Sequence, residues 1–149
     1  MPLLSPSDQD RLRAEFAKMT RTVRLLFFTQ TLGCETCPQA RQILDELPPL
    51  SDKIAVDEVN LILDKDRAAQ FAIDRAPSIA IVYGESGDGA EHDSRIRFAG
   101  APAGYEFIAL VQAVLLVGGA RASMLTEESR TQLASVDRQL TLQVFTTPT

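Results

Sequence analysis

A nearly unbroken apolar run at residues 23–28 constrains the fold of this chain more than any other feature. A short run without polar alternation is typical of a central strand that is covered on both faces. A loop at residues 29–33 follows, and then a helix that stops at Pro48-Pro49. The apolar face of that helix is formed by Cys37, Ala40, Leu44 and Leu47. We therefore expect an α/β fold in which this strand is central.

Further elements extend the pattern. We predict strands at residues 59–63, 78–83 and 95–98, and helices at residues 66–71 and 105–117. The order from residue 23 is β-α-β-α-β-β-α, which predicts a mixed central sheet flanked by helices. An extra N-terminal helix is expected before it, because Ser5 and Pro6 suit a helix start and Leu12, Phe16 and Met19 form one apolar stripe.

Composition excludes several classes of protein. The 149 residues and their 45% hydrophobic content suit one compact domain, and a net charge of −5 argues against a nucleic-acid binder. The N-terminus lacks a signal-peptide pattern, and the most apolar stretch, residues 107–117, is too short to span a bilayer. We expect a cytoplasmic protein without membrane partners.

The C-terminal residues resemble the start of the chain. Residues 138–146, RQLTLQVFT, align with residues 21–29, RTVRLLFFT, and a helix capped by Thr126 and running to about Arg138 is predicted before them. The match is short enough to arise by chance. If it is real, residues 1–120 form one domain with its N-terminal helix, and residues 121–149 form the helix and strand that begin a second, truncated unit.

The two cysteines, Cys34 and Cys37, are only three positions apart. A bridge between them closes very little chain, so it would stabilise the fold little. Cys34 is expected at the N-terminus of the helix, where free N–H groups favour the nucleophilic thiolate, whereas Glu35 opposes it. Cys37, one turn further in and less exposed, suits the role of resolving a mixed disulfide.

Two other interpretations of the pair stay open. It could be half of a zinc site, but such a site takes four ligands, and the only histidine, His92, falls in a polar hairpin turn. It could also be two buried, inert thiols, although Glu35-Thr36 between them makes burial awkward. Arg41 is interpreted as a solvated surface residue. We predict no metal ligand set.

Pro77 stands directly before an apolar strand. A proline is expected there either as a plain first residue of the strand or as a cis X-Pro bond kept for its geometry.

Together, Cys34-x-x-Cys37, Ala76-Pro77 before a strand, a hairpin and a last helix resemble the thioredoxin superfamily. That resemblance implies a thioredoxin-like fold in which a cis proline faces the dithiol. It also implies that the backbone before the proline pairs with a bound substrate chain. Ala76 and Pro77 are then the substrate-binding residues, and Cys34 and Cys37 the catalytic ones.

A closer likeness is to the N-terminal unit of the protein disulfide oxidoreductases, a glutaredoxin-like family with two thioredoxin-fold units in one chain. Residues 98–107, FAGAPAGYEF, are similar to that family's junction, and residues 142–149 resemble the strand before its second dithiol. The second dithiol itself is absent here. Thioredoxins also carry an acidic residue in the strand before the dithiol, whereas residues 25–28 are all apolar.

These features predict a thiol–disulfide oxidoreductase that exchanges disulfides with client proteins. No bound cofactor is required, because the dithiol holds the electrons, and the resemblance implies a flavoprotein reductase as electron donor. The alternative is a redox-inactive docking or assembly module of the same fold. An unpaired strand in the tail can pair with another chain, which leaves a homodimer through the C-terminal strand open.

Overall fold

A computed structural model describes residues 2–85, 87 and 89–147, so Ser86 and Asp88 of the predicted hairpin turn, and Pro148 and Thr149, lie outside it. Its strands are β1 (Thr22–Thr29), β2 (Ile54–Asn60), β3 (Ser78–Gly84) and β4 (His92–Ala99). Its α-helices are α1 (Pro6–Phe16), α2 (Cys37–Leu44), α3 (Lys65–Gln70), α4 (Tyr105–Val117) and α5 (Glu127–Ala134). A 3-10 turn at Pro48–Leu50 follows α2.

The strands form one mixed sheet in the order β2-β1-β3-β4. β1 runs parallel to β2 and antiparallel to β3, and β3 runs antiparallel to β4. The predicted α/β class, element order and mixed sheet are therefore confirmed.

β1 is central because both of its faces are apolar. Leu25 and Phe27 point into a core shared with α1, α2 and α4, whereas Leu26 and Phe28 point into a second core that holds Phe71 at the end of α3. Each of these side chains is at most 3% exposed. Two-sided burial explains why the run contains no polar alternation.

The N-terminal helix is also confirmed. The Ser5 hydroxyl accepts a hydrogen bond from the Asp8 N–H at 3.1 Å, and Pro6 occupies the first turn, where it needs no N–H partner. Phe16 and Met19 are buried in the first core, so the predicted apolar stripe fixes α1 to the sheet.

The predicted position of β2 is wrong by several residues. The strand ends at Asn60, because the Asn60 side-chain oxygen accepts hydrogen bonds from the N–H groups of Ile62 and Leu63, each at 3.0 Å, and turns the chain. β2 is an edge strand that carries two charged residues, Asp57 and Glu58. Because of these charges its sequence lacks the alternation of apolar residues that predicts a strand.

The tail departs from its prediction in part. Thr126 caps α5 as expected, accepting from the Ser129 N–H at 3.1 Å, but the helix ends at Ala134 and buries none of its side chains. Residues 140–144 form no strand, and within the described residues every strand lies before residue 100. The division into units at residue 120 stays a prediction.

Within the described part of the chain, no helix combines the length and apolar character needed to cross a bilayer.

Candidate functional site

Cys34 and Cys37 are joined by a disulfide, with their Cα atoms 5.4 Å apart. The helix was expected to begin at Cys34, but α2 begins at Cys37, so Cys34 lies in the segment just before it. The Thr36 side chain makes no capping hydrogen bond, and no acidic residue lies in the first turn. N–H groups at this helix start are therefore available to stabilise a thiolate.

The two cysteines differ in exposure in the predicted direction. Cys37 is 5% exposed and belongs to the first core, whereas Cys34 is half-buried and packs against the edge of that core. The interpretation of both residues as buried, inert thiols is wrong, because Cys34 reaches the surface and the two sulfurs are bonded.

α2 holds the disulfide on a rigid base. Ala40 and Leu44, one and two turns beyond Cys37, are fully buried and pack in the core with Phe27 and Leu110. The apolar face of α2 therefore fixes the start of the helix, where the sulfurs lie, to the sheet.

Ala76 and Pro77 lie at the same end of the sheet as the disulfide. Phe28, near the end of β1, pairs with Ser78, the first residue of β3. The segment from β1 to Cys34 and the segment from Pro77 into β3 therefore meet at the same edge of the sheet. The Ala76–Pro77 peptide bond is cis. Ala76 is half-buried against the core that contains Cys37, and the Pro77 carbonyl accepts from the Gly100 N–H at 2.9 Å.

Arg41 is half-exposed but not merely solvated. Its Nε donates to both oxygens of Asp45, at 3.0 and 3.1 Å, and its Nη1 donates to Glu58 on β2. Sequence reasoning missed Glu58, because its partner lies on another element. The available signal was the position of Arg41, four residues after Cys37 on the same helix face.

Metal ligands do not gather around the disulfide. In the described ranges, no group of three or more His, Cys, Asp or Glu side chains is arranged to hold a metal ion. His92 was expected in the polar hairpin turn, but it lies in a strand. It is the first residue of β4, half-buried, with its ring stacked on Tyr83 at a centroid distance of 5.2 Å.

No protein-family model matches the chain. Among curated proteins, a probable thioredoxin from Methanothermobacter thermautotrophicus is 30% identical over 70 residues, which are 46% of this chain and 69% of that protein.

Solved structures match a larger share of the chain. The NTD_N/C domain of alkylhydroperoxide reductase AhpF from Enterococcus faecalis matches with a TM-score of 0.73 and 26% identity over 88% of this chain. A protein disulfide oxidoreductase from Aeropyrum pernix matches over the same share, with a TM-score of 0.71 and 23% identity, and this likeness shows the fold alone. The chain spans 60% of the first structure and 54% of the second.

The bonded cysteine pair and the thioredoxin relatives support a redox enzyme with thiol–disulfide oxidoreductase activity. The fold, the dithiol at the start of α2 and the sequence relatives agree on one assignment: this chain belongs to the thioredoxin superfamily.

Proposed function

We propose that this chain exchanges disulfides with client proteins through Cys34 and Cys37. The observation that carries the proposal is the bond between a half-buried Cys34 and a 5% exposed Cys37 at the start of α2. Cys34 is accessible enough to react with another protein. Cys37 is shielded from solvent and next to Cys34, so it can attack the mixed disulfide that Cys34 forms.

In the reducing direction, the Cys34 thiolate attacks a client disulfide. One sulfur–sulfur bond forms between Cys34 and the client, and one client thiolate leaves. Cys37 then loses its proton and attacks the Cys34 sulfur, which forms the Cys34–Cys37 disulfide and releases the second client thiolate. The client gains two electrons and the protein loses two, so no bound cofactor takes part.

Ala76 and Pro77 would align the client. Within the described residues, neither the N–H nor the C=O of Ala76 takes part in a hydrogen bond, although the residue adjoins β3. An extended client segment can therefore pair with this backbone as an added strand.

The partners proposed are client proteins with disulfides or thiols and, for re-reduction, a flavoprotein reductase. The relative from Enterococcus faecalis is a domain of an alkylhydroperoxide reductase, which fits redox partners in general. A cytoplasmic location stays a prediction.

Insulin reduction by dithiothreitol tests the proposal. We expect the wild-type chain to accelerate insulin precipitation and Cys34→Ser to abolish the acceleration. The matched control Ser123→Ala changes an exposed residue far along the chain and should keep the wild-type rate. Equal rates for the wild type and Cys34→Ser would overturn the proposal.

A docking or assembly role is the second candidate, and the exposed apolar side chains of the tail favour it. Leu142, Val144 and Phe145 are 91%, 85% and 90% exposed. A homodimer through this segment would bury them. Size-exclusion chromatography of the chain with and without residues 123–149 tests this candidate, and an unchanged monomer in both cases would count against it.

A further inference from the structure

We propose that Glu58 accepts the proton of the Cys37 thiol when Cys37 attacks the mixed disulfide, and that Arg41 is the positioning residue that holds Glu58 in place. The inference rests on the proposed function and adds a proton acceptor to it.

Such an acceptor is needed because of where Cys37 lies. A thiol attacks a disulfide only as the thiolate, and Cys37 is 5% exposed in an apolar core. β1, which runs beneath it, presents Leu25 and Phe27 to that core and offers no carboxylate. The proton has to leave toward another element.

Glu58 lies on the correct face of the sheet. It is opposite Phe27 in the β1–β2 register, and Phe27 belongs to the core that contains Cys37. The next residue, Val59, belongs to the second core, with Phe71. Because side chains alternate along a strand, Glu58 projects on the α2 side, at the end of β2 nearest the disulfide.

Arg41 links this carboxylate to the helix of the dithiol. Cys37 and Arg41 are four residues apart in α2, so they are neighbours on one face of the helix, about 6 Å apart along its axis. Arg41 Nη1 binds Glu58, so the carboxylate is held against α2, beside the residue one helical turn beyond Cys37. The Glu58 side chain is 50% exposed, so water can bridge it to the thiol and carry its proton away.

The charges around Glu58 suit a change of protonation. Asp45 holds the other side of the guanidinium, with Nε at 3.0 Å, so Arg41 keeps a carboxylate partner when Glu58 becomes neutral. Glu35 is exposed in the turn before α2. The ion pair between Arg24 and Asp57, at 3.1 Å, belongs to the opposite face of the sheet, because Asp57 pairs with Leu26 of the second core.

The step is balanced. Cys37–SH gives its proton through water to the Glu58 carboxylate, and the Cys37 thiolate forms a bond to the Cys34 sulfur. The bond between Cys34 and the client breaks, and its electron pair leaves on the client sulfur. Glu58 returns the proton to that sulfur through solvent, so the carboxylate is regenerated.

Stopped-flow reaction of the reduced chain with an equimolar amount of the aromatic disulfide DTNB separates the two attacks. Attack by Cys34 releases the first thionitrobenzoate, and attack by Cys37 releases the second. Thionitrobenzoate leaves as a thiolate and needs no proton, so the second phase reports deprotonation of Cys37. Cys37→Ser should remove that phase and no other.

We expect Glu58→Gln to slow the second phase at pH 7 by about tenfold, less than the ~10²–10⁴-fold of direct general-base catalysis, because the proton moves through water. The first phase should not change, and the second-phase rates should converge at alkaline pH, where the Cys37 thiol ionises without a base. Asp57→Asn is the matched control, since it removes a neighbouring, ion-paired carboxylate from the other face, and it should keep the wild-type second phase.

The direction in which Glu58→Gln changes the second-phase rate distinguishes a proton acceptor from a charge that acts at a distance. If Glu58 acted only through its charge, its loss would favour the Cys37 thiolate and accelerate the second phase. A second phase in Glu58→Gln that is unchanged, faster, or equally slow at every pH would overturn the inference while leaving the proposed function intact. A first phase that survives Cys34→Ser would overturn the proposed function and this inference with it.

Discussion

Cys34 and Cys37 share one disulfide but occupy different surroundings. Cys37 is the first residue of α2 and is 5% exposed, whereas Cys34 is half-buried in the turn before the helix. Their Cα atoms are 5.4 Å apart, so one disulfide joins a buried position to a partly exposed one. The proposed division of work between the cysteines rests on this asymmetry, because Cys34 is the more exposed of the two.

The base of the dithiol helix should be sensitive to cavities. Leu44 is fully buried at the end of α2, so Leu44→Ala is expected to lower the free energy of unfolding by about 2–5 kcal/mol. Gln39→Ala, on the exposed face of the same helix, should change it by less than about 0.5 kcal/mol. Urea denaturation followed by circular dichroism measures both, and equal effects would show that this face of α2 does not anchor the helix.

The junction between α1 and α4 should reject a side chain at Gly119. Its φ is +76°, and an added Cβ would collide with the Thr20 hydroxyl. We expect Gly119→Ala to destabilise the chain by about 1–3 kcal/mol, through strain and the collision together. Gly89 has a φ of +61° with open space around it, so Gly89→Ala carries the strain alone and should shift the thermal midpoint less. The reverse order of midpoints would contradict this account.

The stability that Asp93 contributes should depend on pH. Hydrogen bonds from Arg97, at 2.7 and 2.8 Å, and then from the Arg95 N–H, hold the pKa of Asp93 below its ordinary value. A carboxyl group with a lowered folded-state pKa stabilises the fold at neutral pH, and this contribution is lost as the pH falls through that value. Because the pair is partly exposed, we expect no more than about 1 kcal/mol.

Asp93→Asn should therefore be less stable than the wild type at pH 7, and the difference should vanish in acid, once the pH lies below the lowered pKa of the folded state. Urea denaturation at both pH values measures it. A difference that persists unchanged in acid would mean that the substitution acts through packing and not through charge.

Residues 123–147 should contribute little to the stability of residues 1–122. α5 buries no side chain, and Leu140 and Leu142 are 63% and 91% exposed. A chain that ends after Ala122 is expected to keep the thermal midpoint of the full chain within about 2 °C, since changes away from buried contacts are small. A drop of ten degrees or more would show that residues 123–147 pack on the domain.

The parts of the fold that follow from local pattern could be predicted. Two-sided burial made β1 visible as an apolar run, and α4 was predicted with its observed bounds, Tyr105–Val117. The edge strand β2 was misplaced because Asp57 and Glu58 face partners on other elements. The tail segment has the pattern of β1 but forms no strand, since a strand requires a neighbour as well as a pattern.

The residues of the candidate site also fall into those that the local sequence indicates and those that depend on the packing of separate elements. Cys34 and Cys37 could be proposed as site residues from their spacing at a helix start, and Pro77 from its position before a strand. Glu58 could not, because its relation to Cys37 depends on the register between β1 and β2 and on Arg41 reaching across from α2. The sequence contains all of these residues, but only the pairing of elements brings them together.

Trapping of the mixed disulfide tests the central claim most directly. Reduced Cys37→Ser protein is mixed with an oxidised client such as insulin, and adducts are counted by mass spectrometry without reductant. We predict a stable covalent complex through Cys34, no such complex with Cys34→Ser, and only free client and oxidised protein with the wild type. An absence of adduct with Cys37→Ser, or an equal yield with Cys34→Ser, would contradict the account.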